Sequence, residues 1–168
     1  MRTMSPRVKR LRVGTTLAVL AWIYHGVSAD GCPSDSSLPG FATIKELNAA
    51  MLNDFDLLQQ GIASPPFLYY LCPDSVYQPG VEELWIEPLS DDTTVQCGID
   101  GKSENNCIID GGEVHVALLE SREPGYVRKK TTFRGIHFNG SNGWSVAAYD
   151  SSKSYAEFID CHWRVSLC

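Results

Sequence analysis

Phe133-Arg134-Gly135-Ile136-His137-Phe138 returns 25 residues later as Phe158-Ile159-Asp160-Cys161-His162-Trp163. Large apolar residues hold the first, fourth and sixth places of both stretches, and histidine holds the fifth. A step back of about 25 residues meets Ile108-Ile109-Asp110-Gly111-Gly112, and one more meets Leu84-Trp85-Ile86. A period near 25 with a short strand in each unit is the pattern of a chain wound into coils. Each coil buries its apolar face only when the next stacks on it. The repeat speaks to shape and is nearly silent on chemistry.

Working outward, eight runs after Pro65-Pro66 read as short strands: 67–72, 83–87, 93–97, 107–110, 114–119, 132–138, 144–149 and 157–165. They sort into two columns. Leu84/Ile86, Ile108/Ile109, Phe133/Phe138 and Phe158/Trp163 form the first, and the runs starting at 67, 95, 114 and 144 form the second. Equivalent strands of successive coils pair in parallel, so Phe133 is expected over Phe158 and Phe138 over Trp163 as aromatic stacks inside the coil. Upstream, Thr43-Ile44-Lys45-Glu46 is a capping box. Ile44, Leu47, Met51, Phe55 and Leu58 follow on one helical face, and Gly61 ends the element. A helix over about 44–60, laid on the first coil, hides both its own apolar stripe and that coil's unpaired strand edge.

Residues 1–29 have the layout of a secretory signal. Arg2, Arg7, Lys9, Arg10 and Arg12 precede an apolar run over 13–24, and Val27-Ser28-Ala29 supplies a cleavage site. The run is short of the ~20 residues that span a bilayer, so no membrane span is expected once the signal is removed. Residues 30–40 then read as a polar lead-in, 41–64 as the capping-helix region and 65–168 as coils. Beyond Ala29 the chain carries 9 basic and 20 acidic side chains. That balance argues against nucleic acid as a partner and makes a polyanionic substrate hard to hold without bridging cations. Cys32, Cys72, Cys97, Cys107, Cys161 and Cys168 all follow the signal, and their even number in an oxidising compartment predicts disulfides. Cys97–Cys107, closing a polar loop with Gly and Asn, is the favoured pair; the remaining connectivity is open. No cysteine spacing suggests a metal site.

With helix, cysteines and repeat together, the chain resembles the N-terminal part of a right-handed parallel β-helix of the pectin-lyase-like superfold. More narrowly, it resembles secreted β-helix proteins of algae and other microbial eukaryotes. The residues that carry the resemblance are 71–77, 94–101, 107–112 and 133–138, and it covers roughly 41–165. It implies an all-β solenoid of about four coils, with a polysaccharide or cell-surface glycan as candidate partner. The superfold hosts lyases, hydrolases and non-catalytic binding proteins alike. Enzymes of this fold usually have more coils, so the chain is expected to be incomplete at its C-terminal end, or to meet a partner or second copy there.

No complete catalytic signature is legible. Asp91-Asp92 is the only adjacent carboxylate pair, yet neighbours on a strand point to opposite faces, and a solvated turn is the preferred reading. Arg128-Lys129-Lys130 is likewise read as a solvated turn. Asp100, Asp110, Glu113, Asp150 and Asp160, with Arg128, Arg134 and Arg164, are the residues available to a calcium-assisted lyase or a structural calcium ion. They lack the spacing of a recognisable loop. His137 and His162 hold the same outward place in consecutive units and are the candidate surface-binding pair for a sugar or metal; His115 falls outside this register and His25 leaves with the signal. Tyr77, Tyr126, Trp144, Tyr149 and Tyr155 are candidates for stacking on sugar rings. Asn139-Gly140-Ser141 is a glycosylation sequon, expected on a turn. The chain thus reads as a secreted, non-catalytic binding protein with no cofactor, the alternative being the first part of a polysaccharide lyase or glycoside hydrolase with its catalytic coils beyond residue 168.

Overall fold

Thr43 starts the helix as its sequence predicts. Its hydroxyl accepts from the Glu46 amide at 3.1 Å, and the Glu46 carboxylate accepts from the Thr43 amide at 3.2 Å. The resulting α1 (Ile44–Gln59) buries Ile44, Leu47, Ala50 and Met51 in the main core. The structure is a computed structural model that describes residues 32, 40–79, 85–118, 129–148 and 154–164. The expected signal at 1–29, most of the lead-in, Leu84, Tyr126, Arg128, Tyr149, Asp150 and Cys168 lie outside the described residues.

Among the described residues ten strands follow: β1 (Phe67–Leu71), β2 (Val76–Tyr77), β3 (Thr93–Cys97), β4 (Cys107–Asp110), β5 (Val114–Leu118), β6 (Lys129–Arg134), β7 (Ile136–Asn139), β8 (Trp144–Ala148), β9 (Ser154–Ile159) and β10 (His162–Arg164). Their pairings are all parallel, in three sheets ordered β1-β3-β6-β9, β2-β4-β7-β10 and β5-β8. An isolated parallel bridge from Ile86 to Val116 extends the third. The chain therefore visits the first, second and third sheet in turn and returns to the first. The class is all-β with parallel sheets and one helix among the described residues.

This arrangement corrects the two-column reading. Gly135, at φ +67°, separates β6 from β7, and Asp160, at φ +53°, stands between β9 and β10. The runs 132–138 and 157–165 are thus each two strands in two sheets. Phe133 and Phe158 belong to the first sheet, Phe138 and Trp163 to the second. Ile86 lies in neither; it pairs in the third sheet, as do the runs starting at 114 and 144. The spacing of 25 holds between Phe133 and Phe158 but becomes 29 between Ile108 and His137 and 38 between Val95 and Phe133, because earlier corners carry longer loops.

Inward positions stack in register. Tyr69, Val95, Phe133 and Phe158 form one column, and Tyr77, Ile109, Phe138 and Trp163 another. The Phe133 and Phe158 rings lie 5.2 Å apart at 14°, and those of Phe138 and Trp163 5.3 Å apart at 17°. Both aromatic stacks are those the repeat predicts. At the far end of the sheets α1 closes the core. The Asn48 side chain donates to the Trp85 carbonyl at 2.7 Å and accepts from the Glu87 amide at 3.2 Å. One side-chain amide thus satisfies backbone on both sides of Ile86, much as a neighbouring strand would.

Cys97–Cys107 forms as expected, and Cys32–Cys72 ties residue 32 to the end of β1. Cys161 does not join a disulfide: it is a free thiol. Its sulfur turns to the carbonyls of Phe133 and Ile159, both 3.5 Å away, and packs against the core. Burial pushes that thiol's pKa up. Among the described residues no helix is long and apolar enough to cross a membrane.

Two features carry direct tests. A Cβ on Gly135 would sit 2.6–2.7 Å from backbone atoms of Gly101 and Lys102, and its φ is unfavourable for any L side chain. Gly135→Ala is therefore expected to lower stability by at least ~2 kcal/mol in urea unfolding; an unchanged midpoint would contradict this packing. His115 is fully buried against Phe138, and neither ring nitrogen closes a hydrogen bond. Burial holds its pKa below the usual value, with the backbone of Gly111 and Asn139 and the charge of Asp110 pulling the other way. The neutral ring thus favours the folded chain above the unfolded pKa of about 6.5, and that stability is lost as pH falls through the lower folded value. His115→Leu is expected to flatten the stability-pH curve on the acid side relative to wild type, measured by thermal melts.

Candidate functional site

The outward face of the second sheet carries two registered columns near the Gly135 and Asp160 corners. Val76, Ile108, His137 and His162 form one, and Asp110, Asn139 and Arg164 the other. Strand alternation explains the placement: Ile136 and Phe138 are buried, which turns His137 and Asn139 outward. The imidazoles of His137 and His162 stack with centroids 5.0 Å apart and planes at 20°. This is the pair that the repeat singles out.

The loop over 98–106 folds onto this corner. The Cys97–Cys107 disulfide closes it, the Gln96 amide donates to the Gly98 and Ile99 carbonyls, and the Asn105 amide donates to the Cys97 carbonyl at 2.9 Å. Gly135 lacks a side chain at the point where residues 101 and 102 cross it. Beyond that crossing, the Ser103 peptide is held from two sides. Its N–H donates to Asp160 Oδ2 at 2.8 Å, and its carbonyl accepts from His137 Nε2 at 2.9 Å. Because a carbonyl only accepts, that nitrogen carries the proton. The Ser103 amide is the main cause that holds the Asp160 carboxyl below its ordinary pKa, with help from the nearby His162 and His137. His162 Nε2 stands 4.0 Å from Asp160 Oδ1, too far for a hydrogen bond. Asp100 is also held low, chiefly by Asn105, and pairs with Lys102 at 3.3 Å.

The other candidates scatter. Asp91 accepts from the Asp92 and Lys130 amides, and the Asp92 carbonyl accepts from the Phe67 amide at 3.1 Å. Both thus pin strand ends. Lys129 and Lys130 begin β6 and are not a loop. Asp110, Glu113 and Asp100 lie in different segments, and among the described residues no three His, Cys, Asp or Glu side chains are gathered to hold a metal ion. Tyr77 is buried: its hydroxyl donates to the Phe41 carbonyl and accepts from the Cys72 amide, both at 2.7 Å. That excludes it from sugar stacking, whereas Trp144 and Tyr155 are exposed. Asn139 is the last residue of β7 and not part of a turn; Gly140 makes the turn, and the Ser141 hydroxyl donates to the Glu113 carbonyl at 3.0 Å.

Net charge is a poor guide to the field at this corner. Residues 30–128 hold 17 acidic and four basic side chains, whereas 129–168 hold three and five. Beyond Ala29, the strands bearing the histidines are therefore in the less acidic part of the chain.

Sequence reading missed the roles of Ser103 and Asp160. The signal for Asp160 was present: it holds the place in the 25-residue repeat that Gly135 holds one unit earlier, and both residue types tolerate positive φ. Ser103 is placed by a loop that the repeat does not include. Asp160→Ala is expected to raise the hydrogen-exchange rate of the Ser103 amide at least tenfold, with Asp160→Asn closer to wild type; equal rates in all three would refute the clasp. The chain matches no family model, no curated protein and no solved structure, so the geometry of this corner stands alone as the guide to function.

Proposed function

We propose that the chain is a secreted right-handed parallel β-helix of pectin-lyase-like type, whose outward second-sheet face binds a polysaccharide or cell-surface glycan without cleaving it. The cyclic order of the sheets supports the fold. A parallel crossover returning to the same sheet is right-handed in nearly all proteins, which supports the hand. Two disulfides support an oxidising, extracytoplasmic setting.

The observation that carries the binding reading is the stacked His137–His162 pair on an outward strand face. Side chains of one column repeat at the strand spacing of about 4.8 Å, which offers a periodic ligand a row of similar hydrogen-bonding groups. Arg164 lies two residues from His162 on the same strand β10, and the exposed Trp144 begins β8 of the third sheet. The enzyme alternative, with catalytic coils beyond residue 168, draws support from one feature. β9 and β10 end their sheets among the described strands, and Trp163, which stacks inward on Phe138, is 47 % exposed.

A glycan array followed by a reducing-end assay tests the choice. The expected result is retention of at least one glycan, weakened about tenfold or more by His162→Ala with Arg164→Ala, and no release of reducing ends. Release of reducing ends would favour the enzyme reading, and the absence of any retained glycan would remove the binding one.

A further inference from the structure

Two Asn-Gly dipeptides, Asn139-Gly140 and Asn142-Gly143, flank the corner between β7 and β8. Such a pair is reactive in water. The backbone nitrogen after asparagine attacks the side-chain amide carbon, and glycine, with no Cβ, leaves that nitrogen unshielded. The fold treats the two differently. Asn139 is half-buried and ends β7, paired with Asp110 on one side and Arg164 on the other, and the Gly140 amide donates to the Arg164 carbonyl at 3.2 Å. Asn142 is exposed and outside every described strand. Neither its side-chain amide nor its carbonyl makes a hydrogen bond among the described residues. The Gly143 amide meets the Ser141 hydroxyl at 3.3 Å, longer than the usual length of about 2.9–3.0 Å. We propose that Asn142 is a self-modifying site, at which the folded chain converts asparagine to aspartyl and isoaspartyl residues through a succinimide, without an enzyme.

The reaction needs only water. The Gly143 nitrogen gives its proton to solvent and bonds to Asn142 Cγ; the bond from Cγ to the side-chain nitrogen breaks, and that nitrogen takes up a proton and leaves as ammonia. Water then opens the ring at one of its two carbonyls. Cleavage from Cγ gives aspartate, and cleavage from the main-chain carbon gives isoaspartate; nothing is oxidised or reduced. Packing keeps glycine at the attacking position. A Cβ on residue 143 would sit 2.7 Å from the Glu113 carbonyl oxygen and 3.2 Å from Glu113 Cγ, so the corner demands the one residue that leaves Asn142 open to attack. The chain on either side is anchored: the Asn142 amide donates to the Gly112 carbonyl at 2.8 Å, and the Trp144 amide donates to the Glu113 carbonyl at 2.9 Å. An isoaspartyl link inserts one methylene into the main chain between those anchors, and either product adds a carboxylate beside Glu113. Modification therefore loosens the third sheet where Val114 pairs with Trp144.

The experiment incubates the full oxidised chain, expressed without a glycan on Asn139, in ¹⁸O-labelled water at neutral pH. Digestion at acid pH and mass spectrometry then read each Asn-Gly peptide, with electron-transfer fragmentation to separate aspartate from isoaspartate. Residue 142 is expected to take up label at least tenfold faster than residue 139, with isoaspartate among its products. In urea, where the strand no longer holds Asn139, the two rates are expected to become equal. Asn142→Gln, a substitution at an exposed residue, is expected to hold its melting temperature through an incubation in which that of the wild type falls. The proposal is overturned by the absence of label at residue 142, by equal rates at 139 and 142 in the folded chain, by a difference in rate that urea leaves unchanged, or by an equal fall in the melting temperature of Asn142→Gln.

Discussion

Every strand in the three sheets pairs with the strand one circuit away and with none in its own circuit. The constraint that governs the molecule is therefore vertical register: an inward side chain must fit the one before it and the one after it. The columns Tyr69–Val95–Phe133–Phe158 and Tyr77–Ile109–Phe138–Trp163 meet that demand with large flat or branched side chains, and their rings meet edge-on where the sheets converge, as Phe133 and Phe138 do at 6.4 Å and 78°. A slip of one residue would turn the whole apolar set to the outer face. Corners fix the register. Gly98, Gly135 and Asp160 all take positive φ between a strand of the first sheet and one of the second. Gly135 and Asp160 change direction without a regular turn, whereas Gly98 opens the turn over 98–101.

How much of this the sequence discloses depends on loop length. Between the last two circuits nothing is inserted from Phe133 to Phe138 or from Phe158 to Trp163, so both stacks and the histidine pair are legible as a repeat. Earlier, a loop of residues 98–106 enters at one corner, and the spacing from Val95 to its partner Phe133 grows to 38. A fixed period then aligns Ile86 with the wrong sheet. The third sheet was hidden for a related reason. A run such as 132–138 looks like one strand unless its apolar spacing of three then two, with Gly135 between, is taken as a corner. In a straight strand inward positions recur every second residue.

The candidate site divides the same way. His137 and His162 are visible because they sit on strands, inside the repeat. Asp160 is visible only by analogy with Gly135, and Ser103 is placed by three-dimensional contact alone. Cys97–Cys107 follows from a short polar loop, whereas the free thiol of Cys161, turned to the Phe133 carbonyl, has no mark in the sequence. Asp91 and Asp92 show the converse: an adjacent acidic pair that invites a chemical reading is spent on backbone amides and on a positive-φ turn.

The grip on the Ser103 peptide has a consequence for how the stack comes apart. In a one-dimensional array each unit senses only its neighbours, so the last one frays by itself. Here a loop rooted in the circuit of β3 and β4 crosses the next circuit at Gly135 and is fastened by Asp160 in the one after that. Opening the rung of β9 and β10 then releases a bond belonging to a rung two places away. Those rungs are thus coupled beyond nearest neighbours through the Ser103–Asp160 bond.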